Sequence, residues 1–198
     1  MALIRRWWRA LWHKPARYAM GTLLTSGVIL GIAGVAGFNW AVEATSTESF
    51  CISCHSMREF VFEPSRSSVH FSNKTGTHAT CADCHVPKAF VPKMLRKIEA
   101  AREGYHTIMG TIDTHEKYLA YRPVMANRVW QRMQQNDSAS CRGCHSEEHM
   151  VTRKQSRKAR NSHDEMAEKT CMDCHQGIGH GFDPETASDS DAEIDFSL

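Results

Sequence analysis

From Tyr18 to Val42 the chain carries no charged side chain for twenty-five consecutive positions. At about 1.5 Å per helical residue that run exceeds a hydrocarbon core of roughly 30 Å, which predicts one membrane-spanning helix. Gly21, Gly27, Gly31, Gly34 and Gly37 lie inside it. Glycine lowers helix propensity in water, but it is common in spans and marks close helix contacts. Further along, the pattern becomes amphipathic. Between Met94 and Met109, Leu95, Ile98, Ala101, Tyr105 and Ile108 recur at three- and four-residue spacings, with Lys93, Arg96, Lys97 and Arg102 on other faces. This predicts a helix, and Pro87 and Pro92 argue against an earlier start. A second helix is expected from about Glu116 to Gln135, interrupted or kinked near Pro123 and capped by Asp113 or Thr114. The fold class expected is mainly α with much irregular structure. From Asp183 to Leu198 there are six acids, no base and little periodicity, which reads as a disordered tail.

Charge orients the span. Arg5, Arg6, Arg9, Lys14 and Arg17 precede it without one acid, so the positive-inside rule puts the N-terminus in the cytoplasm and the rest outside. Trp7, Trp8, Trp12 and Trp40 stand near its two ends, as interfacial anchors do. Ala41-Val-Glu-Ala44 loosely resembles a signal-peptide cleavage site. The apolar run is much longer than the 7–15 residues usual in such a signal, so an uncleaved anchor is expected. The formal net charge of +2 conceals an asymmetry: all twenty-two acids follow the span against nineteen of the twenty-four Lys and Arg, a net of −3. A mildly acidic exterior gives no support for nucleic-acid binding. The expected domains are a cytoplasmic basic stub at 1–17, the anchor at 18–42, an exported domain at 43–182 and the acidic tail at 183–198.

All eight cysteines fall in four motifs: Cys51-Ile-Ser-Cys54-His55, Cys81-Ala-Asp-Cys84-His85, Cys141-Arg-Gly-Cys144-His145 and Cys171-Met-Asp-Cys174-His175. Two thiols three positions apart reach the two vinyl groups of one porphyrin, and the adjoining histidine is placed to ligate its iron. Four covalent haem c groups are therefore expected. Tetrahedral zinc also uses paired cysteines but needs no histidine directly after every second one. A disulfide framework or a thiol redox pair explains that histidine no better. Forty-one per cent apolar and nine per cent aromatic residues make a thin core for a domain of this size. Porphyrins would supply the missing apolar interior.

Motif starts are 30, 60 and 30 residues apart, so the pair at Cys51 and Cys81 recurs at Cys141 and Cys171. The exported domain thus reads as two duplicated dihaem modules, about 43–92 and 136–182, joined by a helical linker at 93–135. His55, His85, His145 and His175 are the default first ligands. His70 and His163 stand between the motifs of their respective pairs, and His180 follows the last motif in Gln176-Gly-Ile-Gly-His180. These three are the candidate second ligands, with His78, His106, His115 and His149 weaker and His13 excluded by its cytoplasmic position. Three spare histidines for four irons leave one dressed differently. Met57, two residues beyond His55, offers a thioether that replaces or competes with the histidine and raises the haem's potential.

With these features the chain resembles the NapC/NirT family of periplasmic multihaem cytochromes c over nearly its whole length. The resemblance rests on the basic N-terminus, the single anchor, Cys-Ile-Ser-Cys-His-Ser-Met at 51–57, Cys-Ala-Asp-Cys-His-Val-Pro at 81–87 with Phe90-Val-Pro-Lys-Met94, and Cys-Met-Asp-Cys-His-Gln-Gly-Ile-Gly-His at 171–180. It implies an inner-membrane quinol dehydrogenase that passes electrons from the quinol pool to a periplasmic reductase, nitrate reductase first among them. It also implies that the haem at Cys51 is the quinol-side haem, with Met57 near or on its iron. By the same resemblance Glu103 is the carboxylate of the quinol site, Glu99 and Asp113 being alternatives, and Lys97 is its ammonium group, with Lys93 the alternative. A carboxylate takes up a quinol proton and an ammonium group hydrogen-bonds the quinol oxygen. A passive relay without its own quinol site, and a terminal reductase of a small oxyanion, are the rival readings. A homo-oligomer is compatible with all of them.

Overall fold

A computed structural model describes residues 4–8, 17–165 and 168–181, without the side chains of 17–19. The expected acidic tail and most of the basic stub lie outside the described residues. The chain divides into two compact units, residues 1–45 and 46–198.

In the first unit, helix α1 runs over Arg17–Ala44, 28 residues. Its stretch Met20–Ala44 has a mean hydropathy of 1.7 and none of it is buried inside the molecule. A helix that is apolar on all sides and covered by nothing belongs in lipid or against another span. Polar side chains in and just after it bond back to its own carbonyls. Asn39 Nδ2 donates to the Val35 carbonyl at 2.8 Å and Thr45 Oγ1 to that of Ala41 at 2.7 Å, as a low-dielectric surrounding requires.

The second unit contains helices and turns, with no strand among the described residues. Short helix α2, Glu48–Cys51, is capped by Thr47, whose hydroxyl accepts from Phe50 N–H. A π-helix follows at Met57–Phe62 and continues into a turn at Glu63–Ser65. Helix α3, Cys81–His85, carries the second motif. Helix α4 spans Phe90–Ile108, so it begins earlier than the prolines led one to expect. Pro92 falls in its first turn, where a backbone N–H has no helical partner and nothing is lost. Helix α5, His115–Gln135, is capped by Thr114, which accepts from Lys117 N–H, while Asp113 instead pairs with the Lys117 ammonium at 2.7 Å. Pro123 lies inside α5, and helix is assigned on both sides of it without interruption. Helices α6, Ala139–Arg142, and α7, Arg157–Asp164, complete the set used below.

Among the described residues, the buried hydrophobic side chains are Phe60, Tyr118 and Met172 alone. Phe60 contacts the rings of Tyr118 and His115, each at 5.4 Å between centroids, and so joins the π-helix to α5. Elsewhere charged groups connect the elements: Arg132 of α5 bridges to Glu99 of α4 at 3.0 Å. An interior this small leaves Phe90, Val91, Leu95, Ile98 and Tyr105 of α4 more than half exposed in the polypeptide. Three side chains do not bury enough apolar surface to order a domain of this length.

Candidate metal centres and their order

Each Cys-x-x-Cys-His motif is folded as a tight helical turn. His145 N–H donates to the Cys141 carbonyl at 2.8 Å, and His175 N–H to that of Cys171 at 2.9 Å. All eight cysteines are free thiols, and in every motif the first is half-buried and the second exposed. The second and fourth motifs share a feature not read from the sequence. Thr80 and Asp83 form a reciprocal capping box, as do Thr170 and Asp173, with backbone N–H to carboxylate distances of 2.9 and 2.7 Å. The Thr-x-x-Asp spacing was visible in both motifs and is the signature of such a box. These bonds from the Thr80 hydroxyl and N–H hold the Asp83 carboxyl below its ordinary value, and the Thr170 N–H and the Gln134 amide do the same for Asp173.

Three of the four motif histidines face a second histidine. His85 faces His180 at 6.0 Å between ring centroids with 19° between planes. His175 faces His163 at 6.0 Å and 18°. His145 meets His70 at 6.1 Å, but with the rings at 85°. A metal–imidazole bond is about 2 Å long and the ring centre lies about 1 Å beyond the nitrogen, so two imidazoles on opposite sides of one metal stand about 6 Å apart. All three pairs meet that requirement. The surroundings favour neutral rings: burial, then the His180, Arg96 and Arg132 charges, push His85 down to about 4. Burial also lowers His180, with Arg122 in the same direction and the Val61 carbonyl opposing. The neutral ring is the form that binds metal. Gln155 Oε1 lies 2.6 Å from His163 Nδ1; with the proton assigned to that nitrogen, Nε2 is free for a metal. Loop residues are held for these pairs by longer-range bonds, such as Arg122 Nη2 donating to the His180 carbonyl at 2.8 Å.

The first motif differs. His55 Nδ1 lies 3.2 Å from Glu59 Oε1, and the ring is largely exposed with Phe60 at its edge. No histidine faces it among the described residues. Met57, 36 % exposed, opens the π-helix, a rare form that gathers at functional positions. The weaker histidine candidates have other partners: His78 binds Glu48 at 3.1 Å, His149 lies 2.9 Å from Ser146 Oγ, His106 is near Thr111 and His115 lies against Phe60.

The motifs are adjacent in chain order. Helices α2 and α3 touch, and the neighbouring Cys81 thiol lowers that of Cys51 to about 7 while its own is raised. Cys84 is raised by burial and then by Asp83 and Cys144. Cys141 is raised by burial and then by neighbouring Cys171 and Cys84. First meets second, second meets third, and third meets fourth. Ser138, fully buried with φ 51°, accepts from Met172 N–H at 3.3 Å and fixes the approach of the last two.

Of the residues expected at a quinol site, Lys97 lies within electrostatic range of Cys51. Glu103 is bound by Arg96 at 2.9 Å. Lys97 and Glu103 are six positions apart and leave α4 about 120° apart around its axis. The helix does not aim them at one point. Glu99 is held by Arg132, and Asp113 by Lys117. Arg96 itself is 13 % exposed and keeps Nε and Nη1 buried without a hydrogen-bond partner, within electrostatic reach of His85. Arg96 also faces Glu99 at 3.9 Å, and a buried guanidinium with two N–H groups lacking a hydrogen bond still has donors to offer a further carboxylate, such as the propionate of a porphyrin. The small core, the ring pairs and this guanidinium all fit haem.

The family model described as "NapC/NirT cytochrome c family, N-terminal region" matches residues 13–186. The chain is 48 % identical over 180 residues to the cytochrome c-type protein NapC of Escherichia coli K12, covering 90 % of each chain. It is 46 % identical to the denitrification system component NirT of Stutzerimonas stutzeri over 188 residues, 93 % of this chain and 92 % of that one. A tetraheme cytochrome c type protein of Allochromatium vinosum, named as putative, is 43 % identical over 172 residues, 85 % of this chain and 93 % of that one. No solved structure matches.

Proposed function

The chain belongs to the NapC/NirT cytochrome c family, and from that premise we propose that it is a membrane-anchored tetrahaem cytochrome that oxidises quinol and passes electrons to a periplasmic reductase. The reading places α1 in the inner membrane with the N-terminus in the cytoplasm, on the strength of the five bases before the span. Bound haem supplies one-electron reduction and oxidation at iron; the rest falls to the chain. Cys51 and Cys54, Cys81 and Cys84, Cys141 and Cys144, and Cys171 and Cys174 would hold the four macrocycles as thioethers. His85 with His180, His145 with His70, and His175 with His163 would close three irons on both faces. Arg96 would neutralise a propionate beside His85.

The observation that carries the reading is the inequality of the four motifs. In three a second imidazole faces the motif histidine, and in the first, at the start of the ordered series, no histidine among the described residues faces His55. Met57 or His55 would hold the first haem without a facing histidine, which would make the Cys51 motif the point of entry for electrons. Quinol gives up two electrons and two protons as it becomes quinone. Lys97 would hydrogen-bond one quinol oxygen, with Lys93 one turn earlier as the alternative, and Glu103, which leaves α4 on a different face and is held by Arg96, would take up a proton from the other oxygen through water rather than share one contact point with Lys97. Among reductases, nitrate reductase is the partner we favour, because one relative is named a component of a denitrification system and the family reading points the same way.

Stopped-flow mixing of the haem-loaded protein with menadiol tests the site. Glu103→Gln and Lys97→Gln are expected to slow haem reduction by roughly 10²-fold with haem content unchanged. A passive relay would show no response to either substitution. If dithionite reduces the haems but menadiol does not, the quinol reading is wrong.

A further inference from the structure

Helix α7 delivers His163 to His175, the last pair in the series. Ser156 caps it by accepting from Ala159 N–H at 3.2 Å. Ala159 and His163, four positions apart, lie on its inner side, and both are partly buried. The outer side is strongly basic. Arg157, Lys158 and Arg160 are exposed, and the turn before the helix adds exposed Arg153 and Lys154. From Val151 to His163 there are five cations and no acid, in a chain whose part beyond the span carries a net of −3. None of the five pairs with a carboxylate among the described residues. Arg142, nearby, is by contrast held by both Asp137 and Glu147. In sequence the flanking acids Glu147, Glu148, Asp164, Glu165 and Glu168 lie outside this stretch, but Glu147, Asp164 and Glu168 line a cavity with His163, Asp137, Arg142 and Lys169, so the five cations form an outer face beyond an acidic rim.

We propose that α7 and the turn before it form the docking face for the electron-accepting protein, whose own face is rich in carboxylates around its redox centre. The proposal rests on the reading that electrons leave at the Cys171 motif. Unpaired cations next to the exit pair attract such a partner over a Debye length of about 8 Å at physiological salt. Rim charges of this kind raise association rates more than they tighten the final complex. The patch sits at one end of the series and Lys97 at the other, so docking and quinol oxidation do not compete for surface.

The test uses the full-length, haem-loaded protein in detergent and the variant Lys154→Gln/Arg157→Gln/Lys158→Gln, with Lys154→Arg/Lys158→Arg as the charge-preserving control. Reduced by dithionite, each is reoxidised by ferricyanide, an anion, or by tris(phenanthroline)cobalt(III), a cation, across a salt series. The neutralised variant should react with ferricyanide roughly tenfold more slowly at low salt, with no slowing towards the cobalt complex. With purified periplasmic nitrate reductase as acceptor, its apparent KM should rise by a similar factor while the control matches the parent. Equal rates for parent and variant with both the anionic probe and the reductase overturn the proposal. Menadiol-driven reduction is measured separately, so a failure of quinol entry is distinguished from a failure of docking. Acidic residues 183–195 of this chain are the rival occupant. If truncation after Gly181 is required before the patch influences either acceptor, the tail covers it and the partner assignment is overturned.

Discussion

The first and last motifs share the same covalent pattern and sit in opposite environments. At Cys171 the chain makes a single capped turn, presents His175 to His163 and ties that second ring to Gln155. At Cys51 it runs on into a π-helix, and His55 faces Glu59 and solvent. Cys-x-x-Cys-His therefore determines where a haem is attached but not what kind of iron results. That is decided by whether the fold brings a second imidazole to the other side. A closed iron suits fast transfer with little rearrangement, and an iron with an accessible face can meet a substrate.

The largest expected effect separates the two sites. His163→Ala should convert one of four haems from low-spin to high-spin, visible in the optical and electron paramagnetic resonance spectra, whereas His55→Ala should leave the three bis-histidine signals intact. Equal damage from both would erase the distinction. Met57→Ala comes next: it should move the potential of a single haem, within the roughly 0.8 V range that axial ligands control, and leave the others in place on redox titration. A potential unchanged in Met57→Ala assigns that side chain to packing.

Asp173→Asn tests the capped turn and should lower the thermal or denaturant midpoint by a small but measurable amount. Because the folded carboxyl is held below its ordinary value, its contribution is present above the unfolded pKa and lost as pH falls through the lower folded one. The parent should lose this increment in acid and the variant should not. The smallest effect belongs to Glu59→Gln. An exposed histidine–carboxylate pair contributes less than about 1 kcal/mol, so the melting temperature should hardly move.

Local features were legible in the sequence because local physics sets them. The uncharged run Tyr18–Val42 became α1, Thr114 capped α5, and the four motifs were plain. The start of α4 was misjudged because proline was weighed as a breaker, when a first turn tolerates it. His70, His163 and His180 could be singled out by position, but not paired. The sequence symmetry between His70 and His163 does not extend to their partners: His163 stays within its half and His70 crosses to His145. Such matching depends on how loops pack, and no periodicity records it. The two faces of α4 were legible only after counting around the helix, which parts Glu103 from Lys97.

Ligand crossing bears on how the molecule is assembled. His70 of the first half meets His145 of the second, and His180 near the end of the described chain returns to His85. On the ligand assignment proposed above, neither half could be matured as a separate piece, even though each contains two complete attachment motifs. In a chain threaded outward from its anchor, His85 would lack its partner His180 until the final stretch has crossed the membrane. The His85–His180 pair is then the last clasp to close, and early termination anywhere before His180 would disable a centre almost a hundred residues upstream.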